Sequence, residues 1–375
     1  MRVVIAPDKF KDSLSAADVA AALASGITTA MPSSQVTCVP MADGGEGTVD
    51  AALAAGFVSV RARACGPLGA VVEAEFALRD DEAVIEMAAA SGLALVPAAE
   101  RDALAATSRG TGDLIRAALD AGARHITLAV GGSACTDGGA GMLAALGARL
   151  TETGGADLPD GGGHLGALAR VDLSGLDPRL HETDLVLATD VDHPLLGAEG
   201  AAAVFGPQKG ASTEDVGTLE AGLRRFAELV GPELAEAPGA GAAGGVGFGA
   251  MAGLGAHREP GIDVVMELVG LETALTGADL VITGEGSLDH QSLGGKTPVG
   301  VAGLTARVGA GAACVVVCGR TTLRESEWRA AGFIACRAVA DLAPDTESSL
   351  RYAATYLERI GQGIAAHYGN PDMRP

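Results

Sequence analysis

The sequence predicts an α/β protein in two parts: a doubly wound parallel sheet split along the chain, and a mixed α/β domain inserted into it. Three observations predict this. Short β-branched runs alternate with helical stretches at both ends of the chain. The middle has a different, antiparallel texture. Glycines and carboxylates gather where the strands end. A length of 375 residues suits two domains better than one.

Residues 3–7, Val3-Val4-Ile5-Ala6-Pro7, read as a buried strand. Ser15 and Asp18 then form a variant capping box that opens a helix running to about Ala30. A second strand over 36–40 leads into the glycine loop Ala42-Asp43-Gly44-Gly45-Glu46-Gly47-Thr48, and a helix over 48–55 follows. Beyond Cys65-Gly66-Pro67, runs 71–78 and 82–87 around Arg79-Asp80-Asp81 read as an antiparallel hairpin. Next come a helix over 111–121, a strand over 125–130, a helix over 141–148 and a strand over 184–189. The glycine-rich stretch 153–166 reads as an exposed loop. The stretch 238–255, rich in Gly and Ala, is compatible with a lid or with a packed small-residue helix. The βα rhythm returns with strands over 280–283, 314–318 and 333–339, helices over 297–308 and 325–331, and a closing helix over 352–365. Two early and three late strands make one five-stranded sheet. The domains then span 1–65 with 280–375, and 66–279.

Composition narrows the function. A formal charge of −21 excludes nucleic acid and anionic membrane as expected partners. No run is long enough and apolar enough to span a bilayer, and the N-terminus reads as a strand rather than a signal peptide. The six cysteines form no CxxC pair, which predicts a reducing, cytoplasmic setting. The 55 glycines, clustered rather than spread, predict loops in which backbone closely approaches a ligand. The sequence is compatible with a homodimer and leaves the oligomeric state open.

Two phosphate-loop signatures fail. Gly239-Ala240-Gly241-Ala242-Ala243-Gly244 matches G-x-G-x-x-G but follows no strand, so an NAD site is the minor expectation. Gly294-Gly295-Lys296-Thr297 ends like a P-loop, but His290 stands where its first glycine belongs. What survives is Lys296 at a helix start, a position suited to an anion.

The strand-end acids are Asp43, Glu46, Glu86, Asp137, Asp190, Asp192, Glu285 and Asp289. Such acids have a use where Mg²⁺ meets phosphates, because Mg²⁺ takes few carboxylates beside water and phosphate oxygens. Gly131-Gly132-Ser133-Ala134-Cys135-Thr136-Asp137-Gly138-Gly139 joins a strand to a helix, so its N–H groups are able to cradle an anion. Lys9 and Lys11 follow the first strand. Ser13, Thr107, Ser108 and Arg109 are weaker candidates.

These segments resemble bacterial type I glycerate kinases. The likeness lies in Ala6-Pro7-Asp8-Lys9-Phe10-Lys11-Asp12-Ser13-Leu14-Ser15, the loops 42–48 and 131–139, and Ile85-Glu86-Met87-Ala88-Ala89-Ala90-Ser91-Gly92-Leu93. It continues in 107–111, Phe205-Gly206-Pro207-Gln208-Lys209-Gly210-Ala211, 239–245 and Ile282-Thr283-Gly284-Glu285-Gly286. It runs in order from about residue 1 to 340. Cys135-Thr136 and His193 depart from the family's common residues without removing a charge.

The resemblance implies a discontinuous flavodoxin-like sheet of order 2-1-3-4-5, an inserted domain and an active site in the interdomain cleft. It implies Mg²⁺-assisted transfer of the ATP γ-phosphoryl group to D-glycerate, giving 2-phosphoglycerate. On this reading Gly131, Gly132, Ser133, Thr136, Asp137 and Lys296 hold the nucleotide, and Asp190 and Glu285 the metal. Lys9 is catalytic, as are Asp43 or Asp190 as proton acceptor; Lys11, Ser13, Glu46 and Arg109 bind the acceptor. A hydroxy-acid dehydrogenase and a non-catalytic glycerate-binding regulator are the rival readings.

Overall fold

The computed structural model describes residues 1–309 and 311–369. Its strands are β1 (Arg2–Pro7), β2 (Gln35–Cys38), β3 (Val58–Cys65), β4 (Val71–Arg79), β5 (Glu82–Glu86), β6 (His125–Ala129) and β7 (Arg149–Glu152). They continue with β8 (Leu168–Asp172), β9 (Asp184–Ala188), β10 (His257–Glu259), β11 (Leu280–Leu288), β12 (Ala313–Thr321) and β13 (Ala335–Ala338). The chain forms two compact units, Met1–Asp43 with Asp50–Ala55 and the described residues from Ile262 on, and Gly44–Val49 with Gly56–Gly261.

The first unit is built on a five-stranded sheet of order β13-β12-β11-β1-β2, every pairing parallel. Numbered within the sheet this is 2-1-3-4-5, the order that the resemblance implies. Alternation along β1 explains its two cores. Val3 and Ile5 face one side with Leu280, Ile282, Val315 and Val317, and Val4 and Ala6 face the other with Val281, Val316 and Cys318. Helices Ala16–Ala30 and Ala353–Tyr368 cover the first side. Their contact depends on glycine: a Cβ on Gly26 would stand 2.0 Å from the Glu358 carbonyl oxygen, and one on Gly361 2.5 Å from that of Leu23. The cap forms through Ser15 Oγ alone, which accepts from the Asp18 N–H at 3.1 Å and donates to the Asp18 carboxylate at 2.7 Å, so half of the expected box is seen.

The second unit carries a six-stranded sheet of order β10-β9-β6-β5-β4-β3. Strands β3, β4 and β5 are antiparallel neighbours, and β5, β6, β9 and β10 run parallel. The expected hairpin is there, and β3 extends it. Residues 58–65, placed above with the first domain, pair over their full length with β4. Their alternation (Val58, Val60, Ala62, Ala64) was the available signal. Residues 262–279, placed above with the insert, form helices whose Val265, Leu271 and Leu275 join the core of the five-stranded sheet. The loop expected over 153–166 borders the small hairpin β7–β8.

The stretch 238–255 packs as a small-residue helix rather than opening as a lid. Ala242–Phe248, kinked by left-handed residues at Ala243, Gly244 and Gly245, runs into a π-helical turn, Gly249–Gly253, and Ala240, Ala242, Val246, Phe248 and Ala250 are buried. Helix Thr213–Val230, with its own capping box from Ser212 and Asp215, escaped the sequence reading although that signal stands in the sequence.

Candidate active site

In the first unit, β2 lies on one side of β1 and β11 on the other, so the chain changes direction of winding between β1 and β11. Ligands of open α/β sheets bind at the carboxyl ends of strands at such a switch point. Asp8 follows the last residue of β1, its N–H donating to the Gly284 carbonyl at 2.8 Å, and Glu285 is the next residue on β11. The two acids are neighbours because the register pairs Pro7 with Gly284. Gly284 is required there, since a Cβ would stand 2.0 Å from the Val317 carbonyl oxygen.

Asp8 accepts hydrogen bonds from its neighbour's backbone, Lys9 N–H at 2.6 Å, and from Thr297 Oγ1 at 2.9 Å. Burial, and then the charge of Asp43, push its pKa up to about 6 against the pull of those two bonds and of Lys9. Burial likewise pushes Glu285 up to about 7, with Asp8 and Asp289 adding to it and Ser292 and Lys296 opposing it. Glu285 Oε1 is buried without a hydrogen-bond partner. Lys296 is the N-cap of helix Thr297–Val308, whose first turn directs its N–H groups and dipole to the same edge. The structure thus brings Lys9, Asp43, Glu285 and Lys296 together around Asp8.

The second unit builds a tight glycine loop after β6. Asp137 is fully buried and satisfied: its carboxylate accepts from Ser108 N–H and Oγ, both at 2.8 Å, and from the N–H groups of Gly139 and Gly141 at 3.1 and 3.2 Å. It organises the turn from inside. Gly132 is exposed with φ +66°, Gly138 and Gly139 follow at +67° and +87°, and Ser133 and Thr136 are buried. Lys209 is buried beneath the loop, donating to Ser133 Oγ at 2.8 Å and to the Cys135 carbonyl at 2.5 Å.

The loop 44–49 packs on this one. A Cβ on Gly131 would lie 3.0 Å from Gly45 Cα, and Glu86, at the end of β5, accepts from Gly47 and Val49 N–H at 2.9 and 2.7 Å. Glu46 is exposed on the same loop. Asp190, exposed beyond β9, accepts from Gly261 N–H at 2.8 Å. The G-x-G-x-x-G match is a packing device. Cβ atoms at Gly241 and Gly244 would stand 2.1 Å from the carbonyl oxygens of Pro194 and Cys135.

Other expected residues lie elsewhere. Arg109 is held in a two-pronged ion pair with Asp160, at 2.5 and 2.8 Å. Ser13 donates to the Leu350 carbonyl at 2.8 Å, and Lys11 is exposed with its backbone against Gly286. Asp8, Thr297 and Lys209 are absent from the candidate residues chosen by sequence, and Glu86 stands there only among the strand-end acids, with no role of its own. Asp8 and Glu86 end strands, and that was the legible signal. Lys209 carried none, because nothing local marks a lysine as buried. Among the described residues no three His, Cys, Asp or Glu side chains converge to hold a metal. Mg²⁺ needs only one or two carboxylates beside phosphate oxygens and water, and the unpartnered Glu285 oxygen fits that demand.

Carboxyls poised near neutral pH suit a reaction that removes a proton from a hydroxyl while anionic charge is gathered at a helix start. With the doubly wound sheet, that chemistry defines the class: an α/β kinase of a small molecule. The chain belongs to the glycerate kinase family, whose model matches residues 3–369. It is 44% identical over 373 residues to a glycerate kinase of Bacillus subtilis (strain 168), covering 98% of this chain and 97% of that one. It is 50% identical over 309 residues to a glycerate 2-kinase of Escherichia coli (strain K12), covering 80% and 81%. A crystal structure of a protein provisionally named glycerate kinase 2, from Salmonella typhimurium LT2, superposes with a TM-score of 0.86 at 43% identity, covering 98% and 97%.

Proposed function

We propose that this protein transfers the γ-phosphoryl group of ATP to the C2 hydroxyl of D-glycerate, giving 2-phosphoglycerate and ADP. The observation that carries the reading is the pair Asp8 and Glu285 at the switch point, with Lys9 and Lys296 beside them. In the first unit Asp8 accepts the hydroxyl proton: the glycerate O–H bond breaks as its oxygen bonds to phosphorus, and the bond from phosphorus to the ADP oxygen breaks. Burial, and then the charge of Asp43, keep Asp8 a competent base by holding its pKa up. Lys9 and Lys296 balance the carboxylate of glycerate and the charge of the moving phosphoryl group.

Glu285 is the proposed ligand of Mg²⁺, which when bound screens the phosphate oxygens. In the second unit Gly131, Gly132, Ser133 and Thr136 take the nucleotide phosphates, and Asp137 shapes the loop that presents them. Asp190 lies just beyond β9 in the same unit and is proposed to help orient the nucleotide held there. The expected compartment is the cytoplasm, where ATP is supplied and the six free cysteines stay reduced. The dehydrogenase reading loses its support, because the glycines it needs are occupied by packing. The test is incubation of the enzyme and of Asp8→Asn with Mg-ATP and D-glycerate. ADP formation that depends on glycerate and falls at least a hundredfold in the variant supports the assignment; equal rates would remove Asp8 from it.

A further inference from the structure

Only four lysines occur in the chain: Lys9, Lys11, Lys209 and Lys296. The other cations are arginines. Lys9 and Lys296 belong to the first unit's sheet edge, and Lys11 is exposed. The fourth, Lys209, is 2% exposed, on the short helical turn Pro207–Lys209, and the proposed chemistry does not use it.

We propose that Lys209 is the positioning residue of the nucleotide loop, its ammonium fixing the Ser133–Thr136 backbone and supplying the buried positive charge that an otherwise acidic protein needs behind bound phosphates. The proposal rests on the reading that the Gly131–Asp137 loop takes the nucleotide.

The geometry carries it. Lys209 Nζ ties the Cys135 carbonyl inward at 2.5 Å. A planar trans peptide sends the following N–H, that of Thr136, the opposite way, off Lys209. Nζ also occupies a lone pair of Ser133 Oγ at 2.8 Å, leaving the hydroxyl proton to be given elsewhere. One ammonium therefore orients two donors of the loop. A second element is shaped to this contact. Ala243, Gly244 and Gly245 take three consecutive left-handed conformations, with φ of 54°, 70° and 89°. A Cβ on Gly244 would stand 2.8 Å from Lys209 Nζ and 2.1 Å from the Cys135 oxygen. The strained turn at Ala243 is kept where it lets backbone close over the lysine and the loop.

An arginine fork would not fit between one hydroxyl and one carbonyl, and a lysine is a compact charge that titrates when buried. Burial lowers the Lys209 pKa to about 8, opposed by the neighbouring Cys135 and Asp137. The Cys135 thiol is itself pushed well up by burial, so of the thiol and the ammonium it is Lys209 that titrates between neutral and mildly alkaline pH. The charge behind the loop is therefore lost as pH rises through about 8.

The experiment measures the Kd of a non-hydrolysable Mg-ATP analogue against pH, by calorimetry, for wild type, Lys209→Met, Gly244→Ala and Gly132→Val. Wild-type affinity should be steady to about pH 7.5 and then weaken roughly tenfold by about pH 9.5. Lys209→Met should bind roughly tenfold more weakly at pH 7 with no such limb, while the KM for glycerate stays within about twofold. Gly244→Ala, which displaces the ammonium, should behave similarly. Lysine-selective ¹³C NMR of the wild type, with only four signals to assign, should show one lysine titrating in step with the loss of affinity. A flat wild-type profile overturns the proposal even if a variant fails to fold, as does a lysine set without a titration near 8. An unchanged limb in Lys209→Met overturns it too. If Gly132→Val leaves the Kd unaltered, the nucleotide-loop reading itself falls; if Gly132→Val abolishes binding and Lys209→Met does not affect it, only the role of Lys209 does.

Discussion

Asp8 and Glu285 carry opposite consequences for activity and for stability. Both carboxyls titrate higher in the folded protein than in the unfolded chain, to about 6 and about 7. The folded state therefore binds more protons than the unfolded one between about pH 4 and 7. The stability these groups contribute is complete below their unfolded values and is lost as pH rises through the folded ones. Asp8→Asn and Glu285→Gln should each raise the melting temperature by a few degrees at pH 8 and leave it nearly unchanged at pH 4. Catalysis should move the other way. In wild type kcat/KM should fall below an apparent pKa of about 6 as Asp8 gains its proton, and Asp8→Asn should show a low rate without that limb. Scanning calorimetry and a pH–rate series check both. A stabilised variant with full activity would break the link between burial and function.

At the scale of elements, two glycine-dependent contacts are open to test. The helices Ala16–Ala30 and Ala353–Tyr368 touch through Gly26 and Gly361, with no room for a methyl group. Gly26→Ala should destabilise the first unit by about 1–3 kcal/mol in denaturant titration, although alanine is the better helix former. The Gly131–Gly139 turn hangs on Asp137, whose carboxylate satisfies Ser108, Gly139 and Gly141. Asp137→Ala leaves those buried donors unmet and should cost about 3–5 kcal/mol, read by the same titration. Much of this was legible in the sequence. Short, continuous apolar runs marked β1, β6, β9 and β12, and the glycine loop announced itself by composition. The remainder failed for physical reasons. β10 has three residues, too few for any period. β11 continues past Thr283 through Gly284 and Gly286, because β12 pairs with it over that length and outweighs their low strand propensity. In the 238–255 stretch the glycines serve packing, which composition cannot distinguish from mobility.

Over the whole molecule, the charge of −21 sets a background against which anionic substrates must be held. Self-repulsion weakens the compact state at low salt, so raising KCl from about 20 mM to about 300 mM should raise the melting temperature at pH 8 by a few degrees. Local cations then decide binding, and three of the four lysines, Lys9, Lys209 and Lys296, stand at the two candidate sites. Among the described residues no helix is long and apolar enough to cross a membrane. Membership of the glycerate kinase family agrees with the sheet order and with the acids at the switch point. The measurement that tests the central claim most directly is ³¹P NMR of the protein with Mg-ATP and D-glycerate. The account predicts ADP and a new phosphomonoester resonance split by one proton, the signature of phosphate on C2. ATP that remains unconsumed when D-glycerate is added, with a folded enzyme and Mg²⁺ present, would contradict it.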